Sequence, residues 1–170
     1  GIEYAHHVNE YPRVGNVVEA AAYGAHNMMM FPAADIDLMY SPSFDCGELP
    51  ELRAVVHEAQ KMGRIGNWLS TWERELAEGD VHAGTVLQAL AEDAVDRADL
   101  ERVGEDPDVR QQVVDDIQAS DSEAALLERW EEHYRWIHRR TDEVESVDLP
   151  AFLSGMVEVF RYHRASRGLK

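Results

Sequence analysis

Residues 49–78 read LPELRAVVHEAQKMGRIGNWLSTWERELAE, and this stretch decides the fold. Pro50 lies in the first turn with acidic residues on either side, an arrangement typical of a helix start. With about 100° per residue, five apolar side chains fall on one stripe: Met62, Ile65, Leu69, Trp72 and Leu76. Gly79 and Asp80 interrupt the pattern. The stretch therefore predicts one long amphipathic helix.

The rest of the chain also shows helical periodicity. Five further helices are predicted, over about residues 16–30, 81–94, 107–118, 121–144 and 149–164. Pro32 is predicted to end the first of them, and residues 33–48 are predicted to be irregular because Pro42 and Gly47 interrupt them. No useful stretch alternates with period two. We therefore predict a single all-α domain over residues 1–170, a bundle of about six helices.

The charge of the chain excludes some partners. Its 170 residues include 33 acidic and 16 basic ones, which gives a formal net charge of −17. This sign excludes a nucleic acid held through its phosphates and argues against docking on an anionic membrane. Only Lys61 and Lys170 are lysines. Acidic excess with so little lysine indicates the cytoplasm of a high-salt organism, where salt screens carboxylate repulsion; an ordinary acidic protein is the alternative.

Other features limit the class of protein further. A single cysteine, Cys46, excludes an intrachain disulfide and a Cys-based zinc cluster. No apolar run approaches the roughly 18 residues of a membrane span, and no signal peptide is recognisable. We therefore expect a cytoplasmic protein without membrane insertion. Because the first residue is Gly1, we expect a trimmed chain or the C-terminal part of a longer protein.

One polar face of the long helix carries the candidate chemistry. Asn67, Thr71 and Glu75 are spaced i, i+4, i+8 on the side away from the apolar stripe. Amide, hydroxyl and carboxylate oxygens suit Mg²⁺, which also retains water or phosphate oxygens. Arg64 and Arg74 lie beside them, and a guanidinium can bind diphosphate in bidentate fashion. The face is predicted to hold magnesium and diphosphate; a solvated face of a surface helix is the alternative.

Two glycines favour the ligand-binding interpretation. Gly63 and Gly66 lie in the same stretch, and each weakens a helix by about 1 kcal/mol relative to alanine. Surface helices usually carry Lys, Glu or Ala at such positions. The small residues are therefore predicted to let a ligand approach the helix backbone.

Residues 67–75, Asn-Trp-Leu-Ser-Thr-Trp-Glu-Arg-Glu, resemble the second metal-binding motif of class I terpene synthases. The motif has Asn or Asp, three residues, Ser or Thr, two residues, Lys or Arg, and then Glu. Four positions match it: Asn67, Thr71, Arg74 and Glu75. The turn at 79–81 and the pair Arg161-Tyr162 are also similar to the family. Arg13 resembles the family's diphosphate-sensing arginine.

The resemblance implies a terpenoid synthase-like fold and magnesium-dependent loss of diphosphate from an allylic prenyl diphosphate. Asn67, Thr71 and Glu75 would hold Mg²⁺, or Mn²⁺. The diphosphate would be bound by the basic residues Arg13, Arg64 and Arg74, and by the catalytic pair Arg161 and Tyr162 when the site closes. The walls of the carbocation cavity would include Tyr23 and Trp68, whose ring faces stabilise positive charge. Met29 would be a third wall residue.

The family's Asp-rich first metal motif does not precede Asn67. Asp35 and Asp37 have poor helical spacing, and Asp115-Asp116 follows the second motif instead of preceding it. We therefore expect the chain to be incomplete, and to pair with a missing N-terminal half or with another copy. The alternative is a non-catalytic helical interaction or scaffold domain of a halophilic protein. A di-iron site is disfavoured because the chain offers a Glu-x-x-His pair only at residues 3–6.

Overall fold

The computed structural model describes residues 2–166, and α-helices account for its architecture. In chain order they are α1 (Ile2–Glu10), α2 (Val17–Gly24), α3 (Met30–Met39), α4 (Leu49–Ala77), α5 (Gly84–Ala91), α6 (Arg97–Leu100), α7 (Pro107–Ala119), α8 (Ser122–His138) and α9 (Leu149–Ser166). Short 3-10 turns cover residues 12–14, 25–28, 46–48 and 141–143. No strand occurs between residues 2 and 166, so the all-α prediction is confirmed.

Helix α4 is the centre of the bundle. Helices α8 and α9 pack along it, and α2, α3, α5 and the 25–28 turn also contact it. More than half of its 29 residues are buried. The predicted apolar stripe is buried along its whole length, at Met62, Ile65, Leu69, Trp72 and Leu76. Gly79, in the left-handed region with φ of 81°, ends the helix as the sequence predicts.

The side of α4 at Trp68 is covered by the start of α5. Trp68 is fully buried. A Cβ built on Gly84 would lie 2.2 Å from the Trp68 ring, so any side chain at this position collides with the indole. The absence of a side chain at Gly84 therefore sets how closely α5 approaches α4.

An aromatic cluster closes the opposite side of α4. Trp130 of α8 stacks on Phe160 of α9, with ring centroids 4.6 Å apart. Tyr134 also stacks on Trp130, with ring centroids 5.8 Å apart. Near this cluster, Glu58 of α4 accepts a hydrogen bond from His133 Nδ1 at 2.6 Å. These contacts fix α8 and α9 along α4.

Helices α1, α3 and α6 are additional to the six predicted ones, and α8 ends at His138 instead of near residue 144. Helix α3 occupies a stretch predicted to be irregular. Pro32 lies in the first turn of α3, where its missing N–H removes no helical hydrogen bond. The helix predicted over 16–30 ends at Gly24, and Met29, with φ of 57°, separates it from α3. No helix within residues 2–166 is long and apolar enough to cross a membrane.

Replacing Gly84 with alanine is expected to destabilise the fold by about 1–3 kcal/mol, because the new methyl group overlaps the buried Trp68 ring. The matched control is Gly155→Ala in α9, where a Cβ meets nothing within 4 Å and alanine favours the helix. Urea unfolding followed by circular dichroism measures both variants. A Gly84→Ala protein as stable as the wild type would contradict the close approach of α5 to α4.

Candidate functional site

The polar face of α4 is packed inside the bundle. Thr71 is 7% exposed and Arg64 is 8% exposed. Helix α2 covers this side, since a Cβ on Gly24 would lie 3.0 Å from Arg64 Nε. The turn between α4 and α5 covers it too, through His82, whose Nε2 lies 3.1 Å from Arg64 Nη2. Thr71 and Arg64 are therefore shielded from solvent, while Asn67 and Glu75 are partly exposed.

Thr71 and Glu75 are in side-chain contact, and Thr71 contacts Asn67 at its main-chain oxygen. Thr71 Oγ1 lies 2.8 Å from the main-chain oxygen of Asn67 and 2.8 Å from Glu75 Oε1. The single hydroxyl proton can be donated to only one of these oxygens at a time. Glu75 Oε2 is buried and has no hydrogen-bond partner among the described residues. A buried acceptor without a donor is unfavourable, and a bound cation would satisfy it.

Arg64 lies on the amino-terminal side of these three residues. Its Nη1 donates a 2.8 Å hydrogen bond to Asn67 Oδ1, and its guanidinium carbon lies 5.1 Å from the centroid of the Trp68 ring. Burial lowers the pKa of Arg64, and the nearby carboxylates of Glu75 and Asp80 partly offset this effect. The guanidinium is therefore directed inward, towards Asn67 and Trp68, instead of outward towards solvent.

An acid–histidine pair lies next to Arg64, in the turn after α4. Asp80 accepts hydrogen bonds from the main-chain N–H of His82, at 3.0 Å, and from the Nδ1 of its ring. Burial by itself raises the pKa of Asp80, but the hydrogen bonds from His82 and Asn9 outweigh burial and hold the pKa below its ordinary value. Asn9 Oδ1 also accepts from the N–H of Val81 at 3.0 Å, which ties α1 to the turn.

These groups form one connected cluster, here called the buried polar chain. Its members are Glu75, Thr71, Asn67, Arg64, His82 and Asp80. The sequence prediction included four of them and missed Asp80 and His82 as site residues. The sequence pattern that could have indicated these two residues is an acid and a histidine two residues apart, directly after the glycine that ends α4.

Gly63 and Gly66 do not open the helix backbone to a ligand. A Cβ on Gly63 would lie 3.2 Å from the Met28 side chain, and one on Gly66 would lie 3.1 Å from the Phe160 ring. The prediction for these glycines is therefore wrong. They accommodate side chains from the 25–28 turn and from α9.

The other predicted diphosphate-binding residues lie away from the buried polar chain. Arg74 is about half exposed, with Nε 3.9 Å from Glu78 Oε1. Arg161 and Tyr162 are exposed on α9, which packs on a different side of α4 through Phe160. Arg13 is exposed in the 12–14 turn, 5.7 Å from the Tyr11 ring centroid. The structure thus does not bring these side chains together with Asn67, Thr71 and Glu75.

The three predicted cavity residues do not share a wall. Trp68 is fully buried between Gly84 and Arg64. Tyr23 is 50% exposed and Met29 is 61% exposed, so both lie on the surface. Trp68 is therefore a packed core residue whose ring also contacts the guanidinium of Arg64.

Comparisons of the chain with models of known families, with curated proteins and with solved structures found no match. Within residues 2–166, no group of three or more Asp, Glu, His or Cys side chains is arranged to hold a metal ion. A metal on α4 therefore needs the neutral oxygens of Asn67 and Thr71 in addition to Glu75, which is the donor set that the motif at 67–75 predicts.

Replacing Asp80 with asparagine is expected to lower the free energy of unfolding at neutral pH by about 1 kcal/mol, because charged hydrogen bonds to His82 are lost. Folding lowers the pKa of Asp80, so its stabilisation is complete above the ordinary pKa near 4 and is lost as the pH falls through the folded-state value. The difference between wild type and Asp80→Asn should therefore shrink below about pH 4.

Urea unfolding at a series of pH values measures this difference, with Asp142→Asn as the control. Asp142 is an exposed carboxylate in the 141–143 turn. A difference that stayed constant from neutral pH down to about pH 2 would show that Asp80 does not stabilise the fold through its charge.

Proposed function

We propose that this chain is a class I terpene synthase-like domain that binds Mg²⁺ together with the diphosphate of a prenyl diphosphate on α4. The observation that carries the proposal is the side-chain contact of Thr71 with Glu75, one turn after Asn67 on the same helix, with the buried Glu75 Oε2 lacking a partner. The donor set is one amide, one hydroxyl and one carboxylate, and all three are hard oxygen ligands. Mg²⁺ binds such oxygens and completes its shell with water or phosphate oxygens.

The charge of the buried polar chain supports the pairing of metal with diphosphate. It contains two carboxylates, Glu75 and Asp80, and one guanidinium, Arg64, and the His82 ring lies between Asp80 and Arg64. One divalent cation would change the summed charge of these carboxylates and the guanidinium from negative to positive. An anion would then be attracted to a site that repels it without the metal. Metal and diphosphate are therefore expected to bind together and only weakly apart.

The chain's own residues would position the leaving group. Asn67, Thr71 and Glu75 would hold the ion, and Arg64 would fix the Asn67 oxygen. When bound, Mg²⁺ neutralises the charge that develops on departing diphosphate. The exposed Arg74, Arg161 and Tyr162 would reach the diphosphate only in a closed arrangement. An Asp-rich motif from a missing N-terminal half or another copy would complete the site, so we propose that residues 1–170 bind but do not ionise the substrate.

A non-catalytic interaction domain is the second candidate function. An apolar cavity of about 370 Å³ lies between α3, α4 and α9, and Met39 and Tyr40 are exposed near the end of α3. Such a surface suits a partner protein. This candidate requires no metal, so a metal titration separates it from the first. For either function we propose a high-salt cytoplasm as the setting, because of the net charge of −17 and the scarcity of lysine.

Titration of Mg²⁺ into the wild-type protein at high salt is expected to show saturable binding only when inorganic diphosphate is present. Glu75→Gln keeps the shape of the side chain and removes its charge, so it should weaken Mg²⁺ binding by at least about tenfold. The matched control is Glu73→Gln, since Glu73 is exposed on the same helix and bonds to Gln118 of α7. Isothermal titration calorimetry measures all three proteins.

Two results would contradict the proposed function. Equal Mg²⁺ affinity in Glu75→Gln and wild type would mean that the ion binds elsewhere. An absence of binding in the wild type, with diphosphate present, would favour the interaction domain.

A further inference from the structure

A line of hydrogen bonds, here called the relay, joins the turn after α4 to Asn67, the first of the proposed metal ligands. It runs from the Asp80 carboxylate to His82 Nδ1, from His82 Nε2 to Arg64 Nη2 at 3.1 Å, and from Arg64 Nη1 to Asn67 Oδ1 at 2.8 Å. Neither the motif at residues 67–75 nor the proposed binding of metal gives His82 a role. Its side chain is only 15% exposed, so the ring is held among these partners.

The partners of His82 determine which ring nitrogen carries the proton. A guanidinium has donors and no acceptor, so Nε2 must accept from Arg64 through its lone pair. Asp80 accepts at the other side of the ring, so the proton lies on Nδ1. The imidazole is therefore neutral and in the Nδ1–H tautomer. Only this form satisfies both neighbours at once.

The hydrogen bond from Arg64 likewise determines which way the side-chain amide of Asn67 faces. Arg64 Nη1 donates to it, so the amide must present its oxygen, because its nitrogen would place two donors face to face. An amide oxygen has two lone pairs, so one can accept from Arg64 while the other remains for a cation. The orientation of a metal ligand thus depends on how Arg64 is held, and Arg64 is held by His82.

We propose that His82, anchored by Asp80, is a positioning residue for the metal site on α4. It holds Arg64 so that the Asn67 oxygen is available to the ion. This inference rests on the proposed function for its purpose, but the relay itself is a property of the protein without metal. Partners of this kind typically change metal affinity by about 10- to 100-fold when they are removed.

Two substitutions of His82 separate positioning from packing. Phenylalanine fills the space but can neither accept from Arg64 nor donate to Asp80. Glutamine offers an oxygen to Arg64 and an amide N–H to Asp80, so it can restore both contacts. His82→Phe should weaken Mg²⁺ binding in the presence of inorganic diphosphate by about 10- to 100-fold, and His82→Gln should recover most of that loss.

Nuclear magnetic resonance tests the relay without metal. In the wild type, the ¹⁵N shifts of the His82 ring should show a protonated Nδ1 and an unprotonated Nε2. The side-chain amide signals of Asn67 should change in His82→Phe and return towards the wild type in His82→Gln. Circular dichroism verifies that each variant is folded; should His82→Phe not fold, the wild-type ring shifts and the glutamine variant decide.

A proton on Nε2 in the wild type would overturn the proposal. So would a folded His82→Phe protein with wild-type Asn67 amide signals and wild-type Mg²⁺ affinity. If the wild type binds no Mg²⁺ while the ring shifts and the Asn67 signals behave as expected, the relay holds and the proposed function fails.

Discussion

Helix α4 is buried along most of its length, and this burial is the constraint on which the rest of the structure depends. On one side of α4 the buried groups are apolar side chains, among them Met62 and Leu76, which are packed away from water. On the other side Trp68 presses against Gly84, which leaves no space for a side chain. Because Arg64 and Thr71 are buried and Asn67 and Glu75 are only partly exposed, these polar groups need hydrogen-bond partners within the protein.

The buried polar chain is the consequence of that burial. Each unsatisfied buried polar atom is unfavourable by about 1–3 kcal/mol, so a helix with Arg64, Asn67, Thr71 and Glu75 on an enclosed side needs connected hydrogen bonds. The turn after α4 supplies two of the missing partners through Asp80 and His82. Two atoms of the cluster, Glu75 Oε2 and Arg64 Nε, remain without a hydrogen-bond partner among the described residues. Glu75 Oε2 is therefore a buried acceptor that a bound cation would satisfy.

Several features could be predicted from the sequence because they depend on local spacing. The apolar stripe and the end of α4 at Gly79 follow from periodicity and from the conformation of glycine. The contact between Thr71 and Glu75 follows from their i, i+4 spacing. The prediction that Pro32 ends the first helix was wrong, because proline both ends helices and occupies their first turn, and only the surrounding packing selects between these outcomes.

Other features depend on contacts between distant segments and could not be read from local patterns. The polar residues of α4 resemble those of a surface helix until Gly24 and the 79–83 turn cover them. The roles assigned to Gly63 and Gly66 failed for the same reason, since their neighbours, Met28 and Phe160, are remote in the chain. His82 is an ordinary turn residue in the sequence, and its importance comes from the two groups that its ring joins.

We propose that the polar groups Asn67, Thr71 and Glu75 on α4 form a site for a divalent cation. Anomalous X-ray diffraction from crystals soaked with Mn²⁺ and inorganic diphosphate tests it most directly, because manganese scatters anomalously and replaces Mg²⁺ at oxygen sites. We expect an anomalous peak in contact with Asn67 Oδ1, Thr71 Oγ1 and Glu75 Oε2. Peaks confined to surface carboxylates, with no peak at these three groups on α4, would contradict the proposal.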